Sequence, residues 1–187
     1  NIQNKNGNTA LIYASHNHSD HGARMINLLL NAGADVDMQY DGGMTALTSA
    51  TRYGGEKGVE NINLLLTSGA LVDKSDKDGL TALMVAVIHM GKHTAEIINL
   101  LLNAKTDVNI QDKNGKTALM YAVRCKSKHD AEIINTLVNA GADIYMQTND
   151  NKTAYDFAIE KNKIVIVNLF NEYNNNWTFK WTAKNKL

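Results

Sequence analysis

Six histidines and a single cysteine are the side chains of this sequence best suited to metal binding or nucleophilic chemistry. A metal site needs ligands that converge on one ion, and only His16, His18 and His21 lie close enough along the chain to do so. No cysteine or carboxylate pair with zinc-type spacing accompanies them. His93 and His129 follow His21 at multiples of a 36-residue spacing, which separates these three in space. We therefore expect solvated turn residues, with no metal and no cofactor.

Cys125 is the candidate nucleophile for cysteine–histidine chemistry. His129 follows it by four residues, but no third group that would orient the histidine is evident. The nearby cations Arg124, Lys126 and Lys128 favour a thiol with a lowered pKa and redox reactivity. The alternative is an unreactive, half-buried side chain.

Two glycine pairs, Gly42-Gly43 and Gly54-Gly55, bear on nucleotide binding. A phosphate-cradling loop follows a strand and precedes a Lys-Ser or Lys-Thr pair, and neither glycine pair has that context. No catalytic residue is therefore assigned, and we do not expect an enzyme.

The 187-residue chain has 19 Lys and Arg and 19 Asp and Glu residues, so its formal net charge is zero. This balance argues against a protein built around nucleic acid, which requires an excess of cations facing phosphates. No stretch approaches the ~18 apolar residues of a membrane helix, and no signal-peptide pattern opens the chain. A lone cysteine forms no internal disulfide, which fits a reducing compartment. We expect a cytoplasmic protein, or one in a host cytosol if it is a secreted effector.

An internal repeat must position these residues. Thr-Ala-Leu occurs four times and Thr-Ala-Tyr once, at intervals of 36 residues, and an alanine follows each threonine by five positions. A leucine-rich run recurs at a later, constant phase. Five copies in register indicate a stack of equivalent structural units. The five threonines are Thr9, Thr45, Thr81, Thr117 and Thr153.

Each copy predicts a short first helix. Its threonine suits the N-cap because the hydroxyl can accept a hydrogen bond from an unpaired backbone N–H. In the first copy Ala10, Leu11 and Ala14 form a narrow apolar face at helical spacing, and the small residues allow neighbouring copies to approach closely. One copy cannot bury this face alone, so the copies must stack.

A second helix is predicted from about Met25 to Asn31 in the first copy. Gly33 is expected to end it in the left-handed conformation, and an extended segment at Val36-Asp37 then leads to a glycine turn. In the third copy Lys105 takes the place of this glycine and is expected to carry a penalty of about 1 kcal/mol. The residues expected to face inward are Met25, Ile26, Leu29 and Leu30.

Through the elements Gly-x-Thr-Ala-Leu, Ala, Ile-x-x-Leu-Leu and Gly-Ala-Asp-Val, residues 1 to about 173 resemble the ankyrin repeat family. The resemblance implies an all-α fold, a solenoid of stacked helix–turn–helix units with short β-hairpin-like turns. The family usually has Thr-Pro-Leu-His at the start of a repeat, and here alanine replaces the proline. The histidine is also replaced, so its hydrogen bond to the threonine is expected to be lost. The residues at that place are Ile12, Thr48, Met84, Met120 and Asp156.

The 36-residue period exceeds the ~33 residues usual for the family, and the added residues lie between the two helices. The fifth copy lacks them and is interpreted as a capping repeat. The chain begins partway through a repeat boundary, which favours a portion of a longer protein. We assign residues 1–176 to the repeat domain and 177–187 to an aromatic, basic tail. The repeats lie near 1–36, 37–72, 73–108, 109–144 and 145–176.

The resemblance also implies a binding site. Members of the family generally bind partners through the turn tips and the exposed side of the first helices, which line a concave groove. Residue types common in interface hot spots cluster here in the second and third copies. For Leu80 and Ile88 the alternative is packing against a neighbouring repeat. The candidate partner-binding residues are Tyr40, Met44, Arg52, Tyr53, Lys77, Leu80, Ile88, His89, Lys113, Lys116 and Arg124.

In the tail, large aromatic residues alternate with polar ones over Trp177–Thr182, a pattern typical of a strand. Lysines around them add positive charge. Trp177, Phe179 and Trp181 are expected either to fold back over the fifth repeat or to dock a partner or a second copy of the chain.

We expect a scaffold that binds a partner protein of unknown identity through the groove, with no nucleic acid and no membrane span. The alternative is that the chain is the targeting or regulatory ankyrin portion of a larger enzyme, secreted effector or channel. A purely structural spacer is a third hypothesis, which the tyrosine, methionine and arginine side chains of the groove disfavour.

Overall fold

The computed structural model describes residues 1–17, 19, 21–40, 42–53, 55–125 and 130–184, without the side chains of 56, 57 and 175–184. Over these residues the chain forms ten α-helices in five consecutive pairs and no strand, so the all-α prediction is confirmed. The helices are α1 (Ala10–Ser15), α2 (His21–Asn31), α3 (Ala46–Arg52), α4 (Glu56–Thr67), α5 (Ala82–Ile88), α6 (Thr94–Asn103), α7 (Ala118–Arg124), α8 (Asp130–Asn139), α9 (Ala154–Glu160) and α10 (Ile164–Lys184).

A threonine begins the first helix of every repeat. Its hydroxyl accepts a hydrogen bond from the backbone N–H three residues later, as between Ile12 N and Thr9 Oγ1 at 3.2 Å. The predicted N-caps are therefore confirmed. Each such cap contributes about 1 kcal/mol to helix stability, which matters because helices of six or seven residues are marginal alone.

Two repeats recover the hydrogen bond that was expected to disappear with the family's histidine. Thr45 N donates to Thr48 Oγ1 at 2.8 Å, and Thr153 N donates to Asp156 Oδ2 at 2.8 Å. Each pair forms a capping box, since the threonine hydroxyl accepts the backbone N–H of the same partner. The expected loss is therefore wrong for these two repeats and applies to the three repeats with an apolar residue at this position.

The helices form two layers. Each first helix packs against the first helix of the next repeat, and the second helix of each repeat packs against its own first helix. Ala50 and Ala122, two of the recurring alanines, are fully buried in the first-helix layer. Ile62 and Ile98 of the second helices belong to the same buried cluster. One continuous core runs along the stack, as expected of a repeat array.

The second helix of the first repeat begins earlier than the sequence pattern indicated. α2 starts at His21, and the predicted inward-facing Met25 is 40% exposed, so that prediction is wrong. Ile26 is fully buried, and Leu29 and Leu30 are half-buried against the core, as predicted. Smaller residues before Met25 form the buried face of the first turn and leave its side chain on the outer side.

Left-handed residues separate the second helices from the turns. Gly33 follows α2 with φ = 80°, as predicted. Lys105 occupies the equivalent place in the third repeat with φ = 65°, which confirms the predicted left-handed lysine. Val36-Asp37 forms a turn instead of the predicted extended segment, because the Asp35 carboxylate accepts the Asp37 N–H at 2.9 Å.

Glutamine side chains join successive repeats in what we term the glutamine ladder. Gln3 Nε2 donates to Gln39 O at 2.8 Å, and Gln39 Nε2 donates to Ser75 O at 2.9 Å. Gln111 Nε2 donates to Gln147 O at 2.8 Å. Ser75 occupies the glutamine's place in the third repeat and is too short to reach the next repeat, so one rung of the ladder is absent.

The fifth repeat differs from the prediction at its C-terminal end. α10 runs through Lys184, so the strand predicted over Trp177–Thr182 is wrong. Asn174-Asn175-Asn176 does not end the helix, because no glycine or proline interrupts the backbone there. Among the helices that the structure describes, none is long and apolar enough to cross a membrane. The predicted roles in capping and self-association concern side chains outside the described residues, those of Trp177, Phe179 and Trp181.

Candidate functional site

The turn tips fold over the exposed side of the first helices. In the first repeat Asn4 Nδ2 donates to Tyr13 Oη at 2.9 Å, and in the fourth the Tyr121 hydroxyl donates to Asp112. Burial and this bond to Asp112 raise the pKa of Tyr121. Asp112 Oδ1 also accepts two backbone N–H groups of its own turn at 2.8 Å, which fixes the tip. The surface formed by the tips and by the outer sides and C-terminal ends of the first helices is termed the tip face.

The tip of the second repeat is built differently. Tyr40 stands where the third and fourth repeats have an aspartate, and its hydroxyl donates to Met44 Sδ at 2.8 Å. Arg52 Nη1 approaches the same sulfur at 3.6 Å. Burial raises the pKa of Tyr40, and the charge of Arg52 partly opposes this. The sequence predicts Met44 as a partner-binding residue, but its side chain is only 4% exposed and supports the tip face from beneath.

The C-terminal ends of α1, α3 and α5 contact one another across the repeat boundaries. The rings of His16 and Tyr53 meet edge to face, with centroids 4.8 Å apart. Arg52 Nε donates to His89 Nε2 at 3.2 Å. Burial and the neighbouring Arg52 charge lower the pKa of His89, which keeps this ring nitrogen available as an acceptor. Side chains from three repeats therefore form one contiguous surface.

The apolar candidates differ in how much surface they offer. Tyr53 is 49% exposed at the end of α3. Leu80 is half-buried and packs against the core, in agreement with the packing alternative for this residue. Ile88 is half-buried at the last position of α5, beside the exposed His89. Tyr53 is therefore the largest apolar group that the candidate set presents to solvent.

The predicted cations of the fourth repeat lie over aromatic rings. Lys116 Nζ is 5.8 Å from the centroid of the Tyr121 ring, and Arg124 Cζ is 5.0 Å from that of Phe157 in the next repeat. Contacts of this kind contribute about 0.5–1 kcal/mol at exposed sites. They also restrict the conformations of the two long side chains before any partner binds.

Backbone hydrogen bonds join the tips along the stack. Lys77 N donates to Gly42 O at 3.1 Å, and Lys113 N donates to Asp78 O at 3.0 Å. The side chains of both lysines are exposed. The structure thus brings Lys77 and Lys113 to adjacent points of one edge of the tip face, as the transferred family pattern implied.

Cys125 is half-buried, with its Sγ 3.5 Å from Val87 O of the preceding repeat. Burial raises the pKa of the thiol, although the Lys163 charge opposes this, so the predicted lowered pKa is wrong. The alternative, an unreactive half-buried side chain, agrees with this environment. Lys163 Nζ donates to Cys125 O at 2.6 Å and also pairs with Asp130. Other residues of the predicted cluster lie outside the described residues: Lys126, Lys128 and His129.

Three residues of the tip face were not singled out from the sequence. Tyr13, Ser49 and Tyr121 occupy equivalent positions of the first, second and fourth repeats. Ser49 is fully buried beneath the tip face, and its hydroxyl opposes the rise in the pKa of Tyr40. The recurrence of tyrosine three periods apart, on the outer side of a first helix, was the available signal.

The described histidines are dispersed in or beside the interhelix turns. His16 caps the C-terminal end of α1, His21 begins α2, and His18 lies outside the described residues. His93 precedes α6 and approaches Glu96 at 3.4 Å. In the part of the chain that the structure describes, no three His, Cys, Asp or Glu side chains are grouped to hold a metal ion. The tip face carries cations, hydrogen-bond donors and an exposed ring, side chains that are able to make noncovalent contacts.

Comparison with known families bears on this arrangement. The family model described as ankyrin repeats, three copies, matches the chain at residues 1–70, 19–105, 55–148 and 90–180. These overlapping matches extend over nearly the whole chain. A comparison with curated proteins returned no match.

Proposed function

The chain belongs to the ankyrin repeat family, and on that premise we propose that it binds a partner protein through its tip face. Repeats of this family generally mediate protein–protein interaction, and their domains are typically not catalytic. The proposal assigns the contact to the tips and first-helix ends of the first four repeats. It involves no cofactor.

The observation that carries the proposal is the contact between helix ends of different repeats. His16 touches Tyr53, and Arg52 donates to His89, so the side chains of three repeats support one another. A stable interface buries about 800 Å² per partner, more than one tip can supply. A surface that is continuous across repeat boundaries meets that requirement.

Arg52 and Tyr53 are expected to be the central contacts. Arginine and tyrosine are enriched among residues that dominate binding energy. Arg52 is already held by His89 and Met44, which reduces the conformational entropy that it loses on binding. Tyr53 adds a ring that is 49% exposed.

The test compares capture of partners from the native cell by the wild-type chain and by the double variant Arg52→Ala/Tyr53→Ala. A captured protein is then purified and titrated against both forms by calorimetry. We expect the double variant to bind at least about 2 kcal/mol more weakly, or roughly 30-fold, because hot-spot truncations have this magnitude.

The matched control is Tyr145→Ala. This tyrosine is 60% exposed but lies in the loop that leaves α8, away from the tip face. It should bind as the wild type does. Equal affinity of the wild type and the double variant, with unchanged melting curves, would contradict the proposal.

A further inference from the structure

On the described part of the tip face, cations outnumber exposed carboxylates, although the formal net charge of the chain is zero. Many of the acidic residues lie on the second helices or in the loops that leave them, for example Asp35, Glu60, Asp107 and Glu132. The cations of the tip face are Lys5, Arg52, Lys77, Lys113, Lys116 and Arg124.

Among the described residues, no carboxylate pairs with Arg52 or Arg124, the arginines of the tip face. Lysines in the fifth repeat do have carboxylate partners, since Lys152 pairs with Glu160 and Lys163 pairs with Asp130. Over the described residues, no carboxylate oxygen lies within 4.0 Å of the Arg52 or Arg124 side-chain nitrogens. Arg52 contacts a histidine and a methionine, and Arg124 lies over a phenylalanine ring. Both guanidinium groups are positioned by uncharged described neighbours and can pair with an external anion.

We infer that the tip face binds an extended, acidic segment of the partner, aligned along the stack. A guanidinium group presents donors in a planar fork that matches a carboxylate, and such pairs are among the stronger polar contacts. The inference deepens the proposed function and rests on it, because it names the chemistry of the segment that the same face takes.

The spacing of the two arginines defines the segment further. They occupy the same position of the second and fourth repeats, 72 residues apart in the sequence. Packed helices lie ~10 Å apart, and an extended chain rises ~3.3 Å per residue. About three residues of an extended segment therefore span the distance between adjacent repeats. To reach both Arg52 and Arg124, the segment should carry Asp or Glu residues about six positions apart.

The same observations favour a peptide over a nucleic acid. The exposed carboxylates of Asp78 and Asp150 lie at tips along the same edge as the lysines. A peptide can place neutral or basic side chains opposite them, whereas a nucleic acid carries a phosphate at every nucleotide. Its regular negative charge would be repelled at these two points.

The test selects short random peptides, displayed on phage, against the full chain at physiological salt. Selected peptides are expected to be enriched in Asp and Glu. A synthetic peptide with two glutamates six positions apart is then titrated by fluorescence anisotropy. We expect roughly tenfold weaker binding to Arg52→Glu/Arg124→Glu, and a loss of affinity as salt is raised.

The matched control is Arg24→Glu/Lys105→Glu, which changes the formal charge equally at two exposed cations outside the tip face. Its affinity should stay within about twofold of the wild type, because salt screens charges beyond ~8 Å. If the charge reversal lowers the melting temperature, Arg52→Gln/Arg124→Gln replaces it, and several-fold weaker binding is still expected.

The other outcomes separate the two proposals. Neutral or basic peptides that lose binding with Tyr53→Ala would overturn the acidic segment and leave the proposed function standing. Peptides whose binding ignores every tip-face variant would overturn both. A single-stranded oligonucleotide that binds Arg52 and Arg124 where acidic peptides do not would also overturn the acidic segment.

Discussion

Lys105 is the residue at which the backbone and the side chain are least matched. Its φ is 65°, in the left-handed region. Asn151 and Asn162 have similar values of 57° and 54°. Asparagine tolerates this left-handed conformation better than lysine does. The other full-length repeats have a glycine at the place of Lys105: Gly33, Gly69 and Gly141.

Lys105→Gly is expected to raise the free energy of unfolding by about 1 kcal/mol, since glycine has no Cβ to clash in this conformation. The lysine side chain is exposed, so its removal costs little. Urea denaturation measures the change. Lys105→Ala keeps the Cβ and is the control, for which no comparable gain is expected. A lower midpoint for the glycine variant would contradict the argument.

Asp156 gives the stability of the fifth repeat a dependence on pH. Its carboxylate accepts the Thr153 N–H at 2.8 Å and the Thr153 hydroxyl at 2.7 Å, and these bonds lower its pKa. As pH falls, the unfolded chain therefore takes up this proton before the folded chain does. The contribution of the carboxylate is complete above about pH 4 and is lost as the pH falls through the lower folded-state pKa.

Asp156→Asn is expected to flatten this loss of stability, because the amide oxygen can accept the same bonds without titrating. Thermal melts on both sides of about pH 4 provide the measurement. Asp150→Asn, at an exposed carboxylate of the preceding tip, is the control and should retain the wild-type slope. Identical slopes for the wild type and Asp156→Asn would show that the bond to Thr153 is not coupled to folding.

At the scale of elements, the seams between repeats are held by recurring polar bonds as well as by the core. Gln39 and Gln111 each reach the carbonyl group of the next repeat, and Ser75 leaves that bond unmade between the third and fourth repeats. The third repeat is thus the one whose seam the ladder supports least.

Ser75→Gln is expected to restore the rung by donating to Gln111 O, and so to raise the free energy of unfolding by about 1 kcal/mol, the usual net contribution of one hydrogen bond. The melting temperature is the measurement. Ser75→Glu has nearly the same shape but no N–H donor, and it should give no gain. Equal melting temperatures for the two variants would exclude the restored bond.

The sequence predicts an element well where it contains a residue type with a single common structural role. The threonine caps and the left-handed Gly33 and Lys105 follow from local chemistry alone. The start of α2 does not, because small residues such as Gly22 and Ala23 carry no hydrophobic signal although they form the buried face. The alternation of aromatic and polar residues in the tail predicts a strand. The tail is helical because its sequence contains no residue that breaks a helix.

The site was less predictable than the fold. The family pattern indicates which sequence positions lie on the binding surface. It does not indicate whether the side chain at such a position points to solvent or into the core. Met44 is buried, and its sulfur accepts a hydrogen bond from Tyr40, which stands at the place of the turn aspartate. The thiol of Cys125 was assigned from neighbouring charges in sequence, whereas its burial against Val87 determines the direction of its pKa shift.

At the scale of the whole molecule, the main contacts between the described helices run within repeats and between neighbouring repeats. Stability is then a sum of repeat terms and seam terms. Lys163 holds the last seam, since it donates to Cys125 O and pairs with Asp130, where both side chains are about four-fifths buried (17% and 20% exposed).

Lys163→Met is expected to cost about 1–3 kcal/mol at this seam, because it leaves the Asp130 carboxylate without its partner. Since the main contacts of each described repeat are with its neighbours, amide hydrogen exchange should accelerate in α9 and stay unchanged in α3. Lys152→Met removes an exposed pair and is the control, with little effect expected. Equal acceleration in α3 and α9 would argue for one all-or-none unit.

The constant 36-residue spacing of the tips also makes the stack a ruler. Excision of residues 73–108 would preserve the phase of every remaining repeat. It would also place the arginines of the second and fourth repeats in adjacent repeats. A partner segment that binds the shortened stack would need its acidic residues about three positions apart instead of about six. Loss or gain of whole repeats is therefore a route by which this chain can change the length of sequence that it recognises while keeping its recognition chemistry.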